Sequence, residues 1–126
     1  QRSYSVNGKL TNQFNPSDLV KVSLSFTADV VSQDGCYQVT DLLPSGLRVI
    51  TSPYVFGIND NNVYYPYEVS GQRVSFCVYP NNANRIINYY ARVLNGGIYK
   101  SESTIIQSLL NPSILNFSDS AEVFIK

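Results

Sequence analysis

Apolar and polar residues alternate along much of this chain with a period of two. Over Leu19 to Phe26, Val20, Val22, Leu24 and Phe26 fall on one phase while Lys21, Ser23 and Ser25 fall on the other, the signature of a strand with one buried face. Val74, Phe76 and Val78 repeat the pattern within Arg73 to Tyr79, as do Ala121, Val123 and Ile125 at the end of the chain. Tyr37 and Val39 read as inward and Gln38 and Thr40 as outward, until Pro44-Ser45-Gly46 stops the run. Ile87, Tyr89, Ala91 and Val93 alternate with Asn88, Tyr90, Arg92 and Leu94, and Asn95-Gly96-Gly97 then supplies residues that tolerate positive φ. The stretch from Tyr89 to Gln107 is therefore expected to be a long hairpin at the centre of the domain, returning along Ile98 to Ile106. Weaker alternation at Tyr4, Val6 and Leu10 predicts an edge strand, and Pro66 demotes Val63 to Val69 to another. A short strand is expected at Leu47 to Ser52 and a loop at Tyr54 to Asn62. The count is about eight strands and no helix: an all-β, antiparallel sandwich of seven to nine strands forming a single domain over residues 1–126.

Composition narrows the possibilities mainly by exclusion. Apolar residues make up 44% and charged residues 14% of the chain, so Asn, Ser, Thr, Gln and Tyr must solvate much of the surface, as in extracellular β-modules. Net charge is zero and no run of Lys or Arg occurs, which argues against nucleic acid as a partner and against an anionic membrane. The apolar runs are too short to insert in a bilayer. Gln1 reads as a cut within a longer protein. There is no His, so the commonest general base and metal ligand is missing, and two Cys cannot build a tetrahedral zinc site. No catalytic residue, cofactor or metal is expected.

The remaining candidates are few. Asn59-Asp60-Asn61-Asn62 has one acid where a calcium loop needs several spaced oxygens. The acid pairs Asp60 with Glu68, and Asp41 with Glu102, could serve glycosidase chemistry only if a pair stood roughly 5 to 10 Å apart across a cleft. Asp41 precedes the Pro44 corner and is expected to accept backbone N–H bonds in that turn. Lys21, on an outward phase, is a poor candidate for an internal isopeptide bond. Tyr64, Tyr65 and Tyr67 form the best candidate for an exposed interaction patch, and Asn116-Phe117-Ser118 matches a glycosylation acceptor. Cys36 and Cys77 both fall on outward phases, which disfavours a bridge between sheets. A disulfide across one sheet face and two free thiols both remain open, the first requiring that their strands pair and that the compartment be oxidising.

The segment Val39-Thr-Asp-Leu-Leu-Pro-Ser-Gly-Leu47, followed by Gly71-Gln-Arg-Val-Ser-Phe76, Tyr89-Tyr-Ala-Arg-Val93 and Gly97-Ile-Tyr99, resembles the C-terminal macroglobulin-like domain of bacterial alpha-2-macroglobulins. Ile106-Gln107-Ser108, Pro112 and Ala121-Glu-Val-Phe-Ile125 continue the resemblance, which covers roughly residues 18 to 126. It implies a non-catalytic, macroglobulin/immunoglobulin-like module of a secreted, periplasmic or surface-anchored protease trap, packed against other domains of the same parent chain. In such proteins a bait segment is cleaved and a thioester becomes reactive, and the C-terminal domain shields the thioester domain. This chain carries no Cys-Leu-Glu-Gln thioester motif. Where the family commonly has Met-Tyr before the Pro, with the Tyr associated with guarding the thioester, this sequence has Leu109-Leu110, the expected contacts to a thioester domain. The Asp41 to Leu47 corner is also similar to that of adhesin-like surface sandwiches, so the alternative is a stalk or adhesin module whose aromatics contact a host glycan or protein.

Overall fold

The computed structural model describes residues 2–25, 37–78, 86–94, 96–101, 105–108, 115–117 and 121–125. Phe26, Cys36, Glu102, Leu109, Leu110, Pro112 and the turns expected at 32–35 and 80–84 lie outside them. In chain order the strands are β1 (Arg2–Val6), β2 (Lys9–Leu10), β3 (Gln13–Phe14), β4 (Leu19–Ser25), β5 (Tyr37–Leu42), β6 (Leu47–Ile50), β7 (Glu68–Ser70), β8 (Arg73–Val78), β9 (Ile86–Val93), β10 (Gly97–Ser101), β11 (Ile105–Ser108), β12 (Leu115–Phe117) and β13 (Ala121–Ile125). The strands outnumber the seven to nine expected because the longer runs are cut into pieces that join different sheets. A 3-10 turn, Pro53–Phe56, follows β6 and runs into the stretch from Tyr54 expected to be a loop.

Two five-stranded sheets, ordered β2-β1-β4-β9-β6 and β12-β11-β5-β8-β7, supply most of the core, and a three-stranded sheet, β10-β13-β3, adds to it. Between the named strands pairing is antiparallel except for β13 and β3, which run parallel with Phe124 opposite Gln13 and Ile125 opposite Phe14; an isolated bridge of Val63 to Asn88 is also parallel. The alternating phases go where the periodicity puts them. Val20, Val22 and Leu24 of β4, Val74, Phe76 and Val78 of β8, and Ile87, Tyr89 and Ala91 of β9 are all buried. Phe76 and Tyr89 meet between the two large sheets with ring centroids 5.2 Å apart, and Tyr4 meets Phe14 of the small sheet edge-on at 5.8 Å. Such pairs contribute about 0.5–1.5 kcal/mol beyond the area they bury.

The expected hairpin at Tyr89 to Gln107 does not form. Strand β9 lies inside its sheet, with Val20 of β4 opposite Ala91 on one side and Val49 of β6 opposite Ala91 on the other, so neither edge is left for β10. The chain instead crosses to the small sheet, where β10 pairs with β13, and then to the second large sheet, where β11 pairs with β5 and β12. Gly97 enables the crossing: its φ is +140°, and a Cβ there would sit 3.3 Å from the Tyr99 ring. The Tyr99 hydroxyl donates back to the Gly96 carbonyl at 2.8 Å. Tight two-residue hairpin turns lie elsewhere, at Asn7 (φ 51°) and Gly8 (φ 81°) between β1 and the edge strand β2, and at Gly71 (φ 59°) and Gln72 between β7 and β8.

Candidate functional site

Three of the sequence segments that carry the family resemblance converge on one corner. Leu47 N–H donates to the Pro44 carbonyl at 2.9 Å, closing the Pro44-Ser45-Gly46 turn between β5 and β6. The Gln72 side-chain amide donates to the carbonyls of Pro44 (2.7 Å) and Leu47 (2.5 Å), while Leu43 N–H donates to the Gln72 carbonyl at 2.9 Å. Leu94 N–H, just past β9, donates to the Gly46 carbonyl at 2.8 Å. Side chain and backbone together satisfy carbonyls that burial would otherwise penalise.

At this corner Asp41 is not the turn cap expected of it. It is completely buried, on the same phase of β5 as Val39, and its carboxylate accepts hydrogen bonds from the Arg2 guanidinium on one oxygen and from the Tyr89 hydroxyl on the other. Arg2 also reaches the Leu42 carbonyl at 3.4 Å, and its guanidinium lies 5.9 Å from the centroid of the Tyr4 ring. With only 3% of its side chain exposed, Arg2 is a core residue despite its charge. Burial, followed by the Asp41 charge and hydrogen bond, pushes the Tyr89 phenol well above its usual value. A buried carboxylate bound on both oxygens joins β1, β5 and β9; its chemistry is cohesion between sheets. The signal was available in the sequence, since Asp41 and Tyr89 both sit on inward phases.

A second cluster of cation, aspartate and tyrosine, with lysine in place of arginine, lies on the outer face of the β4–β9 pair. Asp60 accepts from Lys21 Nζ at 3.0 Å, from the Tyr90 hydroxyl at 2.8 Å and from Asn62 N–H at 2.9 Å. These contacts hold the Asp60 carboxyl down to about 2, the Asn62 backbone bond being the largest cause, while burial and the Asp60 partner push Tyr90 up to about 12. The single acid of the Asn59–Asn62 segment is paired with a lysine, and among the described residues no three metal-capable side chains cluster. Lys21 and Asp60 thus fasten the 51–62 segment over the sheet, and two open grooves flank it. One, of about 610 Å³, is lined by Ser5, Asn7, Lys21, Ile58 and Tyr90, among others. The other, of about 500 Å³, includes Leu19, Phe56, Arg92 and Leu94 in its lining.

The aromatic patch divides. Tyr64 turns inward, edge-on to Phe76 at 6.1 Å with its hydroxyl donating to the Cys77 carbonyl at 3.3 Å, while Tyr65 and Tyr67 remain 62% and 51% exposed. Gln38 donates to the Tyr67 hydroxyl. The paired acids offer no shared cleft among the described residues: Asp60 is engaged as above, and Glu68 bonds Arg73 at 3.1 Å on the exposed edge strand. The partner considered for Asp41, Glu102, lies outside the described residues, as do Leu109 and Leu110. Cys77 is disulfide-bonded, and its strand β8 pairs with β5, Gln38 standing opposite Cys77. The chain's other cysteine, Cys36, lies outside the described residues.

No known family's sequence pattern matches the chain, and no curated protein matches it in sequence. Solved structures match it in fold, among them two that cover 100% of its length. One is Salmonella alpha-2-macroglobulin carrying a tyrosine-to-glycine substitution, with a TM-score of 0.76 at 18% identity. The other is Salmonella alpha-2-macroglobulin reacted with methylamine, with a TM-score of 0.71 at 20% identity. The chain spans 9% of the length of each of those proteins. It has the fold of a macroglobulin-like β-sandwich domain.

Proposed function

We propose that this domain is a non-catalytic module of a secreted, periplasmic or surface-anchored alpha-2-macroglobulin-like protease trap, and that it works by packing against other domains of its parent chain. The observation that carries this reading is the fold match, which covers the whole of this chain at a TM-score of 0.76 while using 9% of the other protein. The corner built from Asp41, Gln72 and Tyr89 supports it, because the residues of the shared motifs are spent on holding sheets together rather than on presenting a reactive group. Leu109 and Leu110 are the proposed contacts to a thioester domain, in a parent that guards its thioester without the family's tyrosine or has none. The test is the sequence of the parent gene around this segment. Tandem macroglobulin-like modules are expected, with a helical thioester-type domain; a parent lacking both would end the proposal.

The localisation rests in part on the cysteines. We propose that Cys36 is the partner of Cys77, a bridge contributing roughly 4 kcal/mol in the chain-entropy model and stable in an oxidising compartment. Denatured but unreduced protein should take up no alkylating agent and reduced protein two equivalents by intact mass. Alkylation without reduction would remove the bridge and the compartment argument with it.

A second reading, a stalk or adhesin module, draws on the exposed Tyr65 and Tyr67. It requires binding on a glycan array or to a host surface protein that Tyr65→Ser and Tyr67→Ser abolish while the fold is retained.

A further inference from the structure

The outer face of the sheet ordered β2-β1-β4-β9-β6 carries a feature that neither the core nor the corner explains. Arg48 of β6 and Arg92 of β9 are direct register partners, so their side chains leave the same face of the sheet, with Cβ atoms about 4.5–5.5 Å apart. Both are exposed, and among the described residues neither guanidinium has an acid or a hydrogen-bond partner. Like charges placed opposite each other destabilise a sheet. Contrast Lys21 on the same face, which is matched by Asp60.

Beside the arginines stands an apolar ridge. The 3-10 turn presents Tyr54, Val55 and Phe56 consecutively at 75%, 68% and 43% exposure, and Leu94 adds 39%. Phe56, Arg92 and Leu94 line the same groove of about 500 Å³. Gly57, in the left-handed conformation with its N–H bonded to the Tyr54 carbonyl at 3.2 Å, ends the turn and holds the three side chains out together. A cationic pair beside a preformed aromatic ridge selects a partner that brings a carboxylate for the guanidinium fork and apolar side chains for the ridge, since arginine binds a carboxylate through two parallel hydrogen bonds. Aromatic and Arg side chains together are also the residue types that dominate interface energetics.

We infer that Arg48, Arg92 and the Tyr54–Phe56 ridge form a docking face for an acidic segment, with an Asp or Glu flanked by apolar residues, from another domain of the same parent chain. This inference rests on the module reading above, and names the surface and the partner chemistry that reading leaves open. The test places a benzoylphenylalanine photocrosslinker in the full-length parent at Val55 and, separately, at Leu10 and Ile98, apolar side chains away from the ridge that are also more than two-thirds exposed. The Val55 probe is expected to crosslink to a segment of a different domain that contains an acid within two residues of the attachment point, and Arg48→Ser with Arg92→Ser should cut the yield at least tenfold. A yield indifferent to the two arginine substitutions, attachment to a segment without an acid, or attachment to a separate protein would overturn the inference. Leu10 or Ile98 reaching another domain while Val55 does not would overturn this face alone and leave the module reading standing. No interdomain crosslink from any of the three positions would overturn both.

Discussion

Tyr89 and Tyr90 are neighbours on β9, and each donates to an aspartate that also holds a cation, yet the two clusters do different work. Arg2–Asp41–Tyr89 lies between the sheets with almost no solvent contact, whereas Lys21–Asp60–Tyr90 lies on the outer face with the lysine side chain 32% exposed. The alternation of the strand sends one tyrosine to each side. Inside, loss of a partner leaves a charge that water cannot reach; outside, water replaces the partner. A cation, an aspartate and a tyrosine therefore form a structural clamp in one place and a light fastening in the other.

The largest effect should come from splitting the buried pair. Arg2→Leu removes the cation from the buried Asp41 carboxyl, and is expected to cost about 3–5 kcal/mol in urea unfolding, against at most about 1 kcal/mol for Lys21→Leu. Replacing both buried partners, Arg2→Leu with Asp41→Leu, should recover most of that loss, because a packed apolar pair can equal a buried ion pair. If Arg2→Leu cost no more than Lys21→Leu, the contrast between the clusters would be gone.

Removing single hydroxyls probes the same contrast more finely. Tyr89→Phe should cost about 1.5–3 kcal/mol by leaving one Asp41 oxygen without its donor, and Tyr90→Phe less than about 1 kcal/mol. Equal costs in thermal or urea unfolding would mean that water reaches Asp41.

The smallest effects are those of pH. The Asp60 carboxyl is lowered from 3.8 to about 2, so its contribution is present in full above pH 3.8 and is lost as pH falls toward about 2. Tyr90 is raised from 10.0 to about 12, so its contribution is intact below pH 10 and is lost as pH rises toward about 12. The stability difference between wild type and Asp60→Asn should therefore shrink below pH 3.8. In a phenolate absorbance titration Tyr90 should ionise near pH 12, with Tyr89 still protonated in the folded protein. A difference constant across the acid range would mean that Asp60 is not fastened in solution.

How much of this could be read from the sequence depends on the range of the interaction. The phases of β4, β8 and β9 were legible because alternation is local, and they placed Tyr89 inward; Asp41, read as a turn residue, continues the inward phase of Val39 on β5. What alternation does not encode is the partner: Arg2 lies in a weakly patterned strand, and nothing in the residues around it announces an aspartate 39 positions away. The missed hairpin has the same origin. Asn95-Gly96-Gly97 suits a two-strand turn and an abrupt crossing equally well, and the choice was made by β4 and β6, which already occupy both edges of β9. The parallel β3–β13 pair, between strands of two and five residues, leaves no local trace at all. Tyr64 separated from Tyr65 and Tyr67 because packing against Phe76, not sequence proximity, determined which ring turned in.

The position of β9 between β4 and β6 also governs how the domain can be made. A ribosome delivers β4 after β1, with which it pairs, and then β6, but the second edge of β4 and the whole of β6 find their partner only when β9 has been synthesised. Through that interval the inner faces of two strands and their unpaired backbone edges are displayed on the nascent chain, the condition that favours pairing with a stranger. The element that joins the β2-β1-β4 ribbon to β6 arrives last among them, so the sheet is completed late, and a pause in translation before residue 93 would prolong that exposure.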